Sequence, residues 1–112
     1  MTSVIDRNAF EDLKQMAGAD FIGELINTFL EDAPQLIAQL HSALAANDAE
    51  TFRRAAHSLK SNAASFGANH LSALAKELEM LGRENKLNEV GGKIKVLEEA
   101  YQVAAQEIKG MA

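Results

Sequence analysis

The chain has 112 residues, which is the length of a single domain with one hydrophobic core. Hydrophobic residues make up 47% and charged residues 24%, a composition typical of ordered globular proteins. The absence of cysteine excludes disulfides and thiolate chemistry. A formal net charge of −5 argues against nucleic acid or an anionic membrane surface as the main partner. Because no apolar run reaches membrane-span length and no signal-peptide pattern is present, we expect a cytoplasmic protein.

Helical periodicity begins close to the N-terminus. A short first helix is predicted over residues 6–17, with Asp6 as its N-cap and Gly18 at its end. Its apolar side is expected to carry Phe10, Leu13 and either Met16 or Ala17. A much longer second helix opens after Asp20 and follows the helical period to Leu44.

A proline interrupts the second helix. Pro34 lacks the amide that would bond to the carbonyl of Leu30, so it either kinks the helix or splits it in two. We favour the kink because the apolar period continues across the proline.

Three further helices are predicted in the second half of the chain. They cover residues 48–66, capped by Asn47 and Asp48, then residues 68–84 after Gly67, and residues 88–109. Their apolar positions are Phe52, Ala56, Leu59, Ala63 and Phe66, then Leu71, Leu74, Leu78 and Leu81, and then Val90, Ile94, Leu97, Tyr101, Ala104 and Ile108.

The helices define the fold class. Gly91 and Gly92 weaken the first turn of the last helix. No segment alternates with period two over strand length, and the connections between helices are short. We therefore predict an all-α protein, an antiparallel four-helix bundle with a short additional N-terminal helix, in a single domain over residues 1–112.

One face of the third helix combines an imidazole with cations and small residues. At about 100° per residue, Phe52, Leu59 and Phe66 lie between about 140° and 180° from His57, which therefore points outward. Within about 60° of His57 fall Arg53, Arg54, Lys60, Ser61 and Ala64.

This face suits a phosphoryl acceptor. A solvent-facing imidazole nitrogen is a nucleophile, and the helix fixes its position. Lys60 would neutralise charge on phosphoryl oxygens, while Ser61 and Ala64 would leave room for a second protein. Periodicity alone nevertheless favours the simpler interpretation, an ordinary exposed histidine on a solvated face.

The segment AAHSLKSNAASFGA, residues 55–68, resembles the motif of the histidine-containing phosphotransfer (HPt) domains of bacterial and plant phosphorelays. That motif reads His, two residues, Lys, then Gly or Ser, followed by small residues and a Gly about ten positions after the His; His57, Lys60, Ser61, Ala64 and Gly67 occupy these places. FIGELINTFLEDAPQLIAQLHSALAANDAETFRRAAHSLK and LSALAKELEMLGREN are similar to the helices around it.

The resemblance implies roles for individual residues. His57 would carry the phosphoryl group on Nε2, with Lys60 as charge support. Ser61, Ala64 and Gly67 would support the site structurally. Ser61 stands where Gly is commoner, and its hydroxyl is expected to bond either the carbonyl or the imidazole of His57.

The resemblance also implies the partners. They would be receiver domains of response regulators and a hybrid sensor histidine kinase, and the receiver would supply the divalent ion, so no cofactor or metal is expected in this chain. A monomer is the default for the family. We expect a partner to dock over the face formed by Arg53, Arg54, Lys60, Ser61 and Ala64.

Other functions are weighed against this one. His41 and His70 lack the setting of His57, and we expect them to be surface or half-buried structural residues. No nucleotide-binding motif and no Glu-x-x-His pair occurs, so neither a kinase catalytic domain nor a metal-carboxylate bundle is expected, although the chain is compatible with a piece of a hybrid kinase. An interaction-only bundle remains the alternative, and it would need neither His57 nor Lys60.

Overall fold

The computed structural model describes residues 4–111 of the chain. Over that range the protein is helical, without any strand, and the predicted all-α fold class is confirmed. The elements are α1 (Arg7–Ala17), α2 (Ala19–Ala45), α3 (Ala49–Ser65), α4 (Asn69–Arg83), a short 3₁₀ helix (Leu87–Glu89) and α5 (Lys93–Met111). None of the helices within residues 4–111 has the length and apolarity needed to cross a membrane.

The four longer helices form an elongated bundle, and the protein measures 42 × 28 × 18 Å along its principal axes. α3 packs between α2 and α4, and α5 packs against the same two helices from the other side, so that α3 and α5 lie diagonally across the bundle. The short α1 packs against α2 and α3. Short connections between successive helices give the antiparallel arrangement that the sequence predicts.

Capping residues begin two of the helices where the sequence predicts them. The carboxylate of Asp6 accepts hydrogen bonds from two backbone N–H groups in the first turn of α1, and Asp48 accepts one in α3. The turn after α3 depends on Gly67, whose φ of +78° is in the left-handed region. Its carbonyl accepts a hydrogen bond from the N–H of Asp6 at 2.8 Å, which ties the α3–α4 turn to the start of α1.

α2 continues through Pro34, so the alternative of two separate helices is wrong. The proline leaves the carbonyl of Leu30 without its usual partner inside the helix. The hydroxyl of Tyr101, from α5, donates to that carbonyl at 3.4 Å. Burial raises the pKa of Tyr101, and its hydroxyl remains the protonated donor at neutral pH.

The predicted start of the fifth helix, at residue 88, is wrong. The chain instead forms the short 3₁₀ helix and then a turn, and α5 begins only at Lys93. Gly91 adopts a φ of +52°, a left-handed conformation that interrupts a right-handed helix. Val90 is fully buried although it lies in the turn, which explains why it fits the apolar period.

The predicted core is confirmed in α3 and in α5, where every apolar position named from the sequence is buried. Phe66, just after α3, and Val90, just before α5, are buried as well. In α4 it is only partly right, because Leu74 and Leu81 are half-buried. Of the two alternatives given for the apolar side of α1, Met16 is 85% exposed and Ala17 is half-buried. Leu25, which follows the apolar period of α2, is 37% exposed. The side of α4 turned toward the bundle instead carries Leu71, Ala75, Leu78, Glu79 and Gly82.

Candidate functional site

His57 lies near the middle of α3 and faces solvent, with 53% of its side chain exposed. Phe52 and Leu59, on the opposite side of the helix, are completely buried. Burying this apolar side therefore fixes which way the imidazole points.

A buried carboxylate on α4 contacts the inner edge of the imidazole. Glu79 is 3% exposed, and its Oε2 lies 2.8 Å from Nδ1 of His57. Its Oε1 lies 2.7 Å from Nζ of Lys60. A guanidinium nitrogen of Arg83 lies 3.2 Å from Oε2, so three basic side chains share one carboxylate.

Glu79 is ionised at neutral pH. Burial by itself raises the pKa of a carboxyl group, but the hydrogen bonds and charges of Lys60 and His57 outweigh burial and lower the pKa of Glu79 below its usual value. An ionised carboxylate only accepts hydrogen bonds, so Nδ1 of His57 carries the proton in this contact. Nε2 of the neutral imidazole then has a free lone pair on the outer, solvent-facing edge of the ring.

α4 approaches α3 closely enough for the side chain of Glu79 to contact His57. Gly82 faces the backbone of Arg53, and a Cβ atom at position 82 would lie only 3.1 Å from the Cα of Arg53. Further along the same contact, the hydroxyl of Ser72 donates to the carbonyl of Lys60 at 3.0 Å. Small and hydroxyl side chains on α4 thus bring its charged residues to the histidine face.

The other predicted cations point elsewhere. A guanidinium nitrogen of Arg53 lies 2.7 Å from a carboxylate oxygen of Glu50, and Nε of Arg54 lies 3.4 Å from the same oxygen. The two arginines therefore belong to an exposed cluster one to two turns before His57. These ion pairs are solvent-exposed and add little stability.

The predicted small residues lie on the exposed side of α3. Ser61 and Ala64 both face solvent, and because their side chains are small they project little from the surface beyond His57. The hydroxyl of Ser61 makes neither of the two alternative hydrogen bonds, to the carbonyl or to the imidazole of His57, whose Nδ1 contacts Glu79 instead. Gly67 is not part of the histidine face, because it lies in the turn that follows α3.

A groove between α2 and α3 opens beside His57. Mostly polar side chains line it, namely those of Asp32, Gln35, Leu36, Gln39, His57, Ser58, Ser61 and Asn62. Asp32 and Asn62 also line a second, more apolar groove that extends to Leu25. The two grooves form one continuous surface along the α2–α3 side of the bundle.

Glu79 and Arg83 are the residues of this site that the sequence interpretation missed. A signal for Glu79 was available, since it stands four residues after Ala75 and three before Gly82, on the side of α4 that carries small buried residues. A charged residue at such a position needs a partner of opposite charge. Arg83 follows one turn later on the same face.

The other two histidines are not part of the site. Both are exposed; His41, on α2, contacts Glu98 of α5, and His70 lies at the start of α4. Within residues 4–111, no group of three or more His, Asp and Glu side chains is arranged to hold a metal ion.

Comparisons with known proteins agree with this geometry. Residues 24–107 match the family model described as Hpt domain. A crystal structure of histidine-containing phosphotransfer protein B (HptB) from Pseudomonas aeruginosa superposes with a TM-score of 0.91 at 28% sequence identity, covering 99% of this chain and 96% of that one.

Similar sequences occur among phosphorelay and sensor proteins. The phosphorelay protein LuxU of Vibrio harveyi is 30% identical over 90 residues, which are 80% of this chain and 79% of LuxU. The sensor protein TorS of Escherichia coli is 33% identical over 75 residues, 67% of this chain but 8% of TorS. The chain therefore belongs to the Hpt domain family, and its role is histidine phosphotransfer in a phosphorelay.

Proposed function

We propose that the chain carries the phosphoryl group on Nε2 of His57 and exchanges it with aspartates of receiver domains. The observation that carries this proposal is the 2.8 Å contact between Nδ1 of His57 and the buried carboxylate of Glu79. It leaves Nε2 unprotonated, exposed and fixed in direction, which are the requirements for a nucleophile that a second protein must reach.

Each bond and charge in the transfer can be assigned to a group of this site or of the receiver. Nε2 attacks the phosphorus of an aspartyl phosphate, the N–P bond forms, and the acyl O–P bond breaks with its electron pair left on the receiver's carboxylate. Nδ1 keeps its proton, so the imidazole becomes positively charged opposite the Glu79 carboxylate. Such a charge pair stabilises the imidazolium product, as the buried acid does in a Ser-His-Asp triad. Transfer onward is the reverse of these steps.

Lys60, one turn after His57, supplies positive charge near the reacting atoms. Its side chain is 28% exposed, and its ammonium group lies 2.7 Å from Oε1 of Glu79, the carboxylate that also contacts the imidazole. Charge spreads over the phosphoryl oxygens during transfer, and a pre-positioned cation stabilises it. Ser61 and Ala64 supply clearance for the partner on the same face.

The partners in this proposal are receiver domains and a hybrid sensor kinase, as the relationship to LuxU and TorS suggests. The continuous α2–α3 groove beside His57 is the docking surface, with polar side chains near the histidine and Leu25 at its far end. We propose that the chain acts as a monomeric cytoplasmic phosphocarrier without kinase activity of its own.

The test is transfer from a radiolabelled phosphorylated receiver domain. We expect label on the unaltered chain and on the His70→Gln control, and none on His57→Gln, with unchanged helical content by circular dichroism. The label should be acid-labile and stable in base, as a phosphoramidate is. Label that persists in His57→Gln would move the site elsewhere, and no label from any phosphorylated receiver would favour an interaction-only bundle.

A further inference from the structure

Arg83 is the basic residue of this site to which no role has been assigned. It lies at the last turn of α4, where Gly82 packs directly against the backbone of Arg53 on α3. Its guanidinium nitrogen lies 3.2 Å from Oε2 of Glu79, the same oxygen that contacts Nδ1 of His57 at 2.8 Å. The guanidinium is therefore next to the imidazole, on the carboxylate that both share.

Arg83 is the most loosely held of the three basic groups at Glu79. Its side chain is 63% exposed, compared with 28% for Lys60, and its contact with the carboxylate is the longest of the three. The lowered pKa of Glu79 is accounted for by Lys60 and His57. Releasing Arg83 would consequently leave the buried carboxylate with the two partners that compensate its charge.

A phosphoryl group on His57 would compete for this guanidinium. The two contacts to Oε2 place the Arg83 nitrogen within about 6 Å of Nδ1, and a phosphoryl group on the same ring adds up to two negative charges and three acceptor oxygens. Arginine presents a planar set of donors that matches phosphate geometry. Arg53 and Arg54 are paired with Glu50 instead.

We propose that Arg83 is a phosphoryl-binding residue, which leaves Glu79 and binds the phosphoryl oxygens once His57 is phosphorylated. The inference rests on the proposed function of His57. Its chemical consequence is a longer-lived phosphohistidine. The hydrogen bonds from the guanidinium hold the phosphoryl oxygens against the protein and hinder water from reaching phosphorus in line with the N–P bond, so spontaneous hydrolysis slows while no receiver is docked.

The test uses potassium phosphoramidate, which phosphorylates exposed histidines without a partner protein. In chain labelled with ¹⁵N-arginine, the Nε–H resonance of Arg83 should move when the protein is phosphorylated, and it should not move in His57→Gln, which keeps His41 and His70. Followed by ³¹P NMR, Arg83→Ala should shorten the half-life of phosphohistidine 57 about three- to tenfold, and Arg83→Lys should shorten it less. The control Lys95→Ala removes the same charge from α5 and should have no effect.

A second background separates binding of the phosphoryl group from an effect through Glu79. Arg83→Ala should shorten the half-life by a similar factor when Glu79→Gln is already present. An unmoved Arg83 resonance, an unchanged half-life in Arg83→Ala, or an effect that vanishes with Glu79→Gln would each overturn the inference. If phosphoramidate phosphorylated His57 but no receiver domain did, the proposed function would be contradicted, and the inference about Arg83 would still hold.

Discussion

At the scale of single residues, one buried carboxylate gives the exposed imidazole its direction. Glu79 is almost inaccessible to solvent, yet its charge is compensated by Lys60 and by the N–H of His57. A buried charge without partners would be strongly destabilising. The contact between His57 and Glu79 therefore has two roles. It sets the tautomer of the imidazole, and it compensates a charge that is buried between α3 and α4.

Acid should weaken the fold through Glu79. The pKa of Glu79 is lowered in the folded protein, so its ionised form contributes stability that is complete above the unfolded pKa of about 4.3 and is lost as the pH falls through the folded value. We therefore expect the free energy of unfolding, from urea titrations between pH 3 and 7, to fall less steeply with acid in Glu79→Gln than in the unaltered chain.

The same variant should lose roughly 1–3 kcal/mol of stability at pH 7, because Lys60 keeps a neutral partner in place of a charged one. Glu77→Gln is the matched control, since Glu77 is an exposed carboxylate of α4 that pairs with Lys93 at the surface. If Glu79→Gln and Glu77→Gln gave the same slope against pH, the buried carboxylate would not be the group that titrates.

The outward position of His57 was predictable and its contact with Glu79 was not, for one physical reason. Helical periodicity relates residues on one helix, and it places Phe52 and Leu59 opposite His57 correctly. His57 and Glu79 are 22 positions apart and meet only through helix packing. The contacts of Arg53 and Arg54 with Glu50 are not subject to this limit, because they are i,i+3 and i,i+4 pairs within α3 that helical spacing alone could have indicated.

At the scale of the helices, α2 tolerates an internal proline because α5 supplies the missing hydrogen bond. Pro34 leaves the carbonyl of Leu30 free, and Tyr101 donates its hydroxyl to it. Burial of the phenol makes an unpaired carbonyl there costly, since little water reaches it. The apolar period predicted that α2 continues, but no local pattern points to Tyr101 as the partner.

A double-mutant cycle tests this compensation. Tyr101→Phe should lower the free energy of unfolding by roughly 0.5–1.5 kcal/mol, because it leaves the Leu30 carbonyl unpaired. In the Pro34→Ala background the same change should cost clearly less, since the new amide bonds the carbonyl within α2. Urea denaturation with unchanged m values measures both costs, and equal costs in the two backgrounds would contradict the compensation.

The limits of α5 show what a helical period cannot detect. Val90 fits the period and is buried, yet it belongs to a turn, because Gly91 takes a left-handed φ immediately after it. A turn that buries an apolar side chain is indistinguishable from a helix by burial pattern alone. The glycine pair was the available evidence, and it predicted a weak first turn where the helix has in fact not yet begun.

At the scale of the whole molecule, the diagonal arrangement gives the bundle two separate sides. The α2–α3 side carries His57 and the continuous groove, and α5 lies diagonally opposite α3. A receiver contact of about 800 Å² per partner extends well beyond the histidine, so it is large enough to include Leu25 at the end of the groove. The side of the bundle that carries α5 would lie outside the proposed contact.

Two matched substitutions distinguish these sides. Leu25→Asp places a charge in the proposed contact, and we expect transfer from a phosphorylated receiver to slow about tenfold. Val103→Asp makes the same kind of change on α5, where the side chain is 54% exposed, and should leave that rate unchanged. Phosphorylation of His57 by phosphoramidate should be unaffected in both, because it needs no docking. Equal slowing of receiver transfer in the two variants would exclude the α2–α3 groove as the docking surface.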